Sequence, residues 1–396
     1  MNQTPRANRK HITLYGNTNS GKSSLFNAII GQKESIISSI KGTTTDPIIR
    51  SMELIPFGPV TIIDTAGLDD EGELGNLRIK KSLKMLQRTD LALYIMDINN
   101  LDEDSYKKTI REFKKYKVPH ILIINKIDTV SKDILKNIKE KYPEAIYTSI
   151  NDNNSILNLK EKLINELSKE DKEKPIVGDL VPYNGTVILV VPIDSEAPKG
   201  RIILPQVQVI RDCLDHGIKS YVVRDTELEN AISDLKHIDL VITDSQAFKR
   251  VNKIVPKEIK LTSFSILFAR YKGELDVFLD GINMIDKLNE NSKILIAESC
   301  THTTSHEDIG RVKIPNMLNK YTGKKLNFEF ISGHDFPEDL SKYDLIIHCG
   351  ACMMNEKEMK TRIRLCKEKK VSIINYGIIL SYLNGILDRT MEIFIN

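Results

Sequence analysis

The chain has 396 residues, more than one hydrophobic core usually supports, which implies two or three domains. Hydrophobic residues at 41 % and charged residues at 28 % are ordinary globular usage and exclude a mainly disordered chain. The 57 basic and 54 acidic side chains leave a net charge of +3, which gives no bulk attraction toward nucleic acid or a membrane surface. The longest apolar runs, such as TVILVV at 186–191, fall far short of the ~18–20 residues of a spanning helix. The first residues pass from a polar arm into a strand pattern without a signal-peptide core, so a soluble, cytoplasmic protein is expected.

In chain order, HITLYG (11–16), VTIID (60–64), LALYIMDI (91–98) and HILIINK (120–126) are nearly continuous apolar runs. Such runs predict strands buried on both faces of a parallel sheet. The stretch 103–117 is charged with apolar residues at helical spacing, which suits a crossover helix. A shift to charge, proline and glycine over 168–182 marks a linker. Strands are then predicted at 186–193, 220–225 and 238–244, with helices over 207–217 and 227–237 between them. A third series of strands follows at 293–298, 327–332, 344–349 and 371–375. The expected architecture is α/β in three domains. An α/β domain over 1–170 and a linker over 171–182 precede two smaller domains with mainly parallel sheets, over 183–270 and 271–396.

GNTNSGKS at 16–23 fits G-x-x-x-x-G-K-S, directly after a predicted strand and at the start of a predicted helix. Gly16 and Gly21 allow the backbone N–H groups of Asn17, Asn19, Ser20 and Ser24 to gather round phosphates at a helix N-terminus. Lys22 is placed to bridge phosphate oxygens and the Ser23 hydroxyl to ligate Mg2+. Asp64 ends a strand in D-T-A-G, where its carboxylate can hold magnesium through water and the Gly67 N–H can meet the γ-phosphate. Asn125-Lys126-Ile127-Asp128 ends the next strand but one. The Asp128 carboxylate can accept from N1–H and the N2 amine of guanine; adenine offers neither donor. Ser149, after the short strand pattern AIYT, falls where a further base-contacting loop belongs.

These residues resemble the Era and MnmE/TrmE type of TRAFAC GTPase over about 1–170. The resemblance implies that Thr44, within GTTTD at 42–46, closes on magnesium, and that Asn19 helps bind K+ near the phosphates. Thr45 departs from the arginine common in that segment. Leu68 stands where a Ras-like enzyme carries its water-orienting glutamine, so slow hydrolysis is expected; Asp69, Asp70, Glu71 and Glu73 beside it are candidates for a substitute or simply solvated.

The five cysteines, an odd number, do not form a disulfide framework. Cys213 and Cys366 lie in helical patterns and are expected in cores. Cys300-Thr301-His302 follows one predicted strand, and His348-Cys349-Gly350-Ala351-Cys352 ends another. Ligands collect beyond the carboxyl ends of parallel strands, so the two clusters can share one rim. Three thiolates with one or two imidazoles suit zinc or an iron–sulfur cluster, with His302, His348 or Glu307 as a further ligand; core packing or a redox C-x-x-C is the other reading. The histidines alternatively orient thiolates by hydrogen bonds.

C-x-H followed by H-C-x-x-C behind an MnmE-like GTPase segment resembles the FeFe-hydrogenase maturation GTPases, the HydF family, and 191–212 is similar to their dimerisation domain. The resemblance implies a 4Fe–4S cluster on Cys300, Cys349 and Cys352, with His302 and His348 at the family's histidine positions. It also implies a homodimer through the middle domain, and a scaffold or carrier for the diiron subcluster made with two radical-SAM maturases and delivered to apo FeFe-hydrogenase. Neither nucleic acid nor membrane is expected as a partner. The rival reading is a GTPase in RNA modification or ribosome assembly with a structural zinc site, against which the near-neutral charge counts.

Overall fold

The structure is a computed structural model and describes residues 5–31, 47–70, 72–170, 174–193, 202–299, 308–337 and 339–395. The chain divides into two compact units, Met1–Lys172 and Glu173–Asn396. The first unit comprises β1 (Lys10–Gly16), α1 (Lys22–Ile30), β2 (Ile48–Leu54), β3 (Gly58–Asp64), α2 (Gly72–Lys84), β4 (Leu91–Asp97), α3 (Glu103–Lys115), β5 (His120–Asn125), α4 (Lys132–Lys141), β6 (Ile146–Thr148) and α5 (Asn153–Glu170). Its sheet runs β2-β3-β1-β4-β5-β6 and is parallel except for β2, which pairs antiparallel with β3. Both faces are covered. Ile12, Leu14, Ile62 and Leu93 pack with α1 and α5 residues on one side, while Tyr15, Tyr94 and Met96 meet Phe113 of α3 on the other. That explains the unbroken apolar strands. Strand β2 escaped the sequence reading because IIRSMEL mixes polar and apolar residues at the sheet edge.

The second unit opens with β7 (Thr186–Val190), α6 (Leu204–Asp215), β8 (Lys219–Val223), α7 (Leu228–Asp234), β9 (Leu240–Thr243), α8 (Phe248–Ile254), β10 (Lys260–Ser263) and α9 (Phe264–Lys272). These strands form a parallel sheet in the order β10-β9-β7-β8. There follow α10 (Leu275–Asp280), β11 (Lys293–Glu298), α11 (Ile314–Thr322), β12 (Asn327–Ser332), β13 (Leu345–His348), α12 (Glu356–Lys369), β14 (Ser372–Asn375), α13 (Tyr376–Leu383) and α14 (Leu387–Met391). Their strands make a second parallel sheet, β12-β11-β13-β14.

Helix α9 serves both sheets. Phe264, Leu267 and Phe268 enter the core of the first, whereas Ile266 and Ala269 enter the core of the second. A helix apolar on two faces has to be covered on both. The C-terminal residues also return to the first sheet: Ile393 joins its core, and Arg389 donates to the carbonyls of Asn252, Val255 and Pro256. The stretch expected as linker is not free chain in its second half. Ile176, Val177 and Val181 are buried in the first core, and Asp212 accepts from the Val177 and Gly178 N–H groups. Its three aliphatic side chains outweigh the turn-forming residues between them. Among the described residues no helix is long and apolar enough to cross a membrane.

Leu267 is fully buried in α9. Leu267→Ala is expected to lower the stability of the second unit by ~2–5 kcal/mol in chemical denaturation. A loss below ~1 kcal/mol would contradict the packing of α9 into the core of the first sheet.

Candidate functional site

Nucleotide-type residues gather at the carboxyl edge of the first sheet. Asn19 and Gly21 both take left-handed backbone angles, φ 64° and 91°. At Gly21 a Cβ would fall 2.3 Å from the Asn125 amide nitrogen, so a side chain there would strain the backbone and displace Asn125. Lys22 Nζ donates to the carbonyls of Gly16 (3.0 Å) and Asn17 (2.7 Å). Asn17 in turn is clamped to the start of α3: its amide donates to Asp102 and its oxygen accepts from the Ser105 hydroxyl. Asn125 donates to the Ser20 carbonyl (3.2 Å) and accepts from the Thr148 hydroxyl (3.0 Å). Lys126 Nζ joins the Asn19 carbonyl to Asp97 at 2.7 and 2.6 Å. Hydrogen bonds from Ser149 and then Asn151 hold the Asp128 carboxyl below its usual pKa range, so it stays an acceptor at neutral pH. One rim thus brings together Gly16, Asn17, Asn19, Ser20, Gly21, Lys22, Ser23, Asp64, Asn125, Lys126, Asp128 and Ser149. Ser24 follows within α1. Thr44 and Glu71 lie outside the described residues.

The Ser23 hydroxyl donates to Asp64 Oδ2 at 2.6 Å, while Asp64 Oδ1 is buried without a hydrogen-bond partner. Burial pushes the Asp64 carboxyl up, partly offset by Ser23 and then Lys22. Burial likewise pulls the Lys22 ammonium down, against the opposing pull of Asp64, Asp69 and Asp70. A buried carboxylate oxygen with a spare lone pair beside a serine hydroxyl fits a hard divalent cation such as Mg2+. The residues after Asp64 meet the phosphate loop directly. Leu68 N–H donates to the Gly16 carbonyl (3.2 Å), and Asp69 accepts from the Thr18 N–H (2.5 Å) and hydroxyl (2.8 Å). Asp70 also accepts from that hydroxyl and pairs with Arg78 at 3.5 Å. Asp69 and Asp70 are therefore anchored rather than simply solvated. Gly67 lies so close that a Cβ would stand 2.2 Å from Thr18 Oγ1.

His348 ends β13 and Cys349 follows it, and β13 neighbours β11 with Ala297 opposite His348. Cys349 N–H donates to the Ala297 carbonyl (3.0 Å), extending the ladder one residue beyond β13. Cys349 Sγ accepts from the Ser299 N–H (3.1 Å) and donates to the Ser299 hydroxyl (3.2 Å). Ser299 immediately precedes Cys300 in sequence; Cys300, His302 and Glu307 themselves lie outside the described residues. Among the described residues no group of three or more His, Cys, Asp or Glu side chains forms a metal-binding set. A thiol pair spaced C-x-x-C, with a backbone N–H already directed at one sulfur, is the donor chemistry that an iron–sulfur cluster uses. Cys213 and Cys366 are both fully buried, and burial pushes each thiol up to about 12, which makes them core residues without reactive character.

His348 is fully buried, with both ring nitrogens engaged. Nδ1 lies 2.9 Å from the Cys349 carbonyl and so donates; Nε2 lies 3.0 Å from Arg362 and so accepts. Burial and then the Arg362 charge lower its pKa to about 3, keeping the ring neutral. The arrangement makes His348 a support for the Cys349 main chain. Arg362 on α12 also donates to Glu358 (3.0 Å) and the Gly333 carbonyl (2.9 Å), and lies over the Phe336 ring. Buried Lys272 of α9 donates to the carbonyls of Ala351, Cys352 and Met354. Burial lowers its pKa to about 8, opposed by Cys352, Cys349 and Glu356. Sequence reasoning missed Arg362 and Lys272. The one available signal was a charged residue inside a helix that otherwise reads as apolar all round, as in FSILFARYK.

Residues 11–126 match the 50S ribosome-binding GTPase family model, residues 176–273 the hydrogen maturase F dimerization domain, and residues 276–393 the hydrogen maturase F tetramerization domain. The chain is 38 % identical over 166 residues to a tRNA modification GTPase MnmE of Treponema denticola, covering 40 % of this chain and 35 % of that protein. It is 35 % identical over 151 residues to a GTPase Der of Sulfurimonas denitrificans, covering 36 % and 30 %. The chain thus spans about a third of the length of these curated relatives. The GDP·AlF4-bound Era structure of Aquifex aeolicus aligns over 55 % of this chain and 94 % of its own, at 18 % identity and a TM-score of 0.35.

Arg362 and Glu358 are a buried ion pair, with side chains 0 % and 2 % exposed. Arg362→Ala leaves Glu358 without its buried counter-charge and is expected to cost ~3–5 kcal/mol in urea denaturation. The double variant Arg362→Met/Glu358→Gln should recover most of that loss. A single variant within ~1 kcal/mol of the parent would contradict the pairing.

Proposed function

Because the chain belongs to the HydF-type GTPases, we propose that it binds and slowly hydrolyses GTP with Mg2+ and carries a 4Fe–4S cluster on Cys300, Cys349 and Cys352, as a scaffold in FeFe-hydrogenase maturation. The observation that supports the cluster reading is the contact of Ser299 with Cys349 Sγ, one residue before Cys300. Two neighbouring parallel strands then supply all three sulfurs. When bound, the cluster supplies an iron position that protein sulfur does not fill. As a scaffold or carrier, the chain would hold the diiron subcluster made with two radical-SAM maturases for delivery to apo FeFe-hydrogenase, with Cys300, Cys349 and Cys352 holding the cluster. The chain's own part is to fix the thiols: Ser299 N–H orients the Cys349 sulfur and His348 holds the Cys349 carbonyl.

At the nucleotide end, Lys22 exchanges its main-chain carbonyls for β- and γ-phosphate oxygens. Ser23 and Asp64 hold Mg2+, Asp128 and Ser149 read guanine, and Gly67 N–H meets the γ-phosphate. Thr44 would be a further magnesium ligand. Leu68 cannot orient a water molecule, which suits a slow timer; Asn19 favours stimulation by K+. GTP acts by ordering switch segments and so changing partner affinity. Pairing of two chains is supported by β8, an edge strand of the first sheet of the second unit, where Tyr221 and Val222 are each 45 % exposed. Val207 and Leu214 on α6 are also exposed.

Anaerobic purification with iron and sulfide analysis tests the proposal. A brown protein holding iron and sulfide in equal amount, and losing both on Cys349→Ala or Cys352→Ala, is expected; a colourless protein with stoichiometric zinc would reject it. Asp128→Asn should weaken GTP binding about tenfold or more, ~1.4 kcal/mol in titration calorimetry. Unchanged GTP affinity would remove Asp128 from the base site.

A further inference from the structure

We propose that Lys272 is the positioning residue of the sulfur site, a buried cation that holds the Cys349–Cys352 loop in shape and offsets its thiolate charge. This inference rests on the cluster reading above. Lys272 is 1 % exposed at the C-terminus of α9. Its Nζ lies 2.7 Å from the Met354 carbonyl, 3.2 Å from that of Ala351 and 3.3 Å from that of Cys352. Three acceptors match the three hydrogens of an ammonium; a neutral amine would lack one donor. The gripped residues are the ones that need holding. Ala351 turns the loop at φ 53°, a left-handed conformation that a side chain disfavours, and its carbonyl also accepts from Met354 N–H.

Charge balance points the same way. A buried ammonium surrounded by carbonyl dipoles alone is unfavourable unless an anion lies close by. The groups of opposite sign that act on it are Cys352 and Cys349, on the loop it grips, and then Glu356; a thiolate-bound cluster is negative. A cation at that place favours the reduced cluster, since potentials of such centres follow local charge and hydrogen bonding. The lysine also has a particular origin. It sits on the helix whose other face lies in the core of the β7–β10 sheet, so the sulfur loop carried by the β11–β14 sheet is completed by the neighbouring sheet's last helix. The segment 276–393 alone lacks that ammonium.

The test compares the full chain with Lys272→Met, which keeps the stem and removes the charge, and Lys272→Arg, which keeps the charge. In the iron-free protein, amide hydrogen exchange across 349–354 should quicken roughly tenfold in Lys272→Met, the loss of one to two net hydrogen bonds, and stay near the parent rate in Lys272→Arg. After anaerobic reconstitution, an EPR-monitored redox titration of Lys272→Met should show the one-electron equilibrium shifted tenfold toward the oxidised cluster, a potential ~59 mV lower. Parental exchange rates or a parental potential in a folded Lys272→Met protein would overturn the proposal. If Lys272→Met does not fold, Lys272→Gln carries the same two readings. Should the parent take up no iron at all, the cluster reading fails, and the exchange comparison still decides whether Lys272 grips the loop.

Discussion

The main-chain bond from Cys349 N–H to the Ala297 carbonyl is the link on which the sulfur site depends. It carries the β11–β13 ladder past its last strand residue and brings the residues after both strands side by side. In a parallel sheet the carboxyl ends of neighbours emerge at one edge, so segments 50 residues apart in sequence can share a small volume. The contact between Ser299 and Cys349 is the direct result. The first unit uses the same geometry. Strands β1 and β3 are paired with Leu14 opposite Asp64, and the Thr65 hydroxyl donates to the Leu14 carbonyl at 2.6 Å, which brings D-T-A-G beside the phosphate loop.

Around the sulfur loop the fold accepts an electrostatic burden that an apolar core would avoid. Arg362 and Lys272 are both fully enclosed, on α12 and α9, and each is directed toward main-chain or ring acceptors near the thiols. Burying such charges is unfavourable without compensation, and a buried pair is weak evidence for stability as such. Arg362 is compensated by Glu358, whereas Lys272 meets only main-chain carbonyls among its hydrogen-bond partners. His348 completes the frame, since the Arg362 bond selects the tautomer that donates to the Cys349 carbonyl.

Most of the architecture was legible from period and punctuation. The runs at 293–298 and 327–332 are strands over their full length because each is bounded by turn residues and has an unbroken β pattern. Strand β2 and the four-residue β10 were hidden, one by its mixed edge composition and the other by its shortness. The nucleotide loops were readable because each needs particular residues at fixed spacing on a strand end. The supports of the sulfur site were not. Lys272 and Arg362 act through contacts across 79 and 14 residues, and no spacing rule marks such partners. The anchoring of Asp69 and Asp70 to Thr18 was hidden for the same reason: acidic residues after D-T-A-G look solvated until the neighbouring loop is in view.

The proposed cluster requires sulfur ligands from two neighbouring strand ends to meet at one iron-binding position. An anaerobic crystal structure of the reconstituted chain with iron anomalous scattering tests it most directly. The expected result is an iron cluster bonded to the sulfurs of residues 349, 352 and 300, with the Ser299 main chain alongside. Anomalous density away from that rim, or iron bound without the thiol of residue 300, would contradict it.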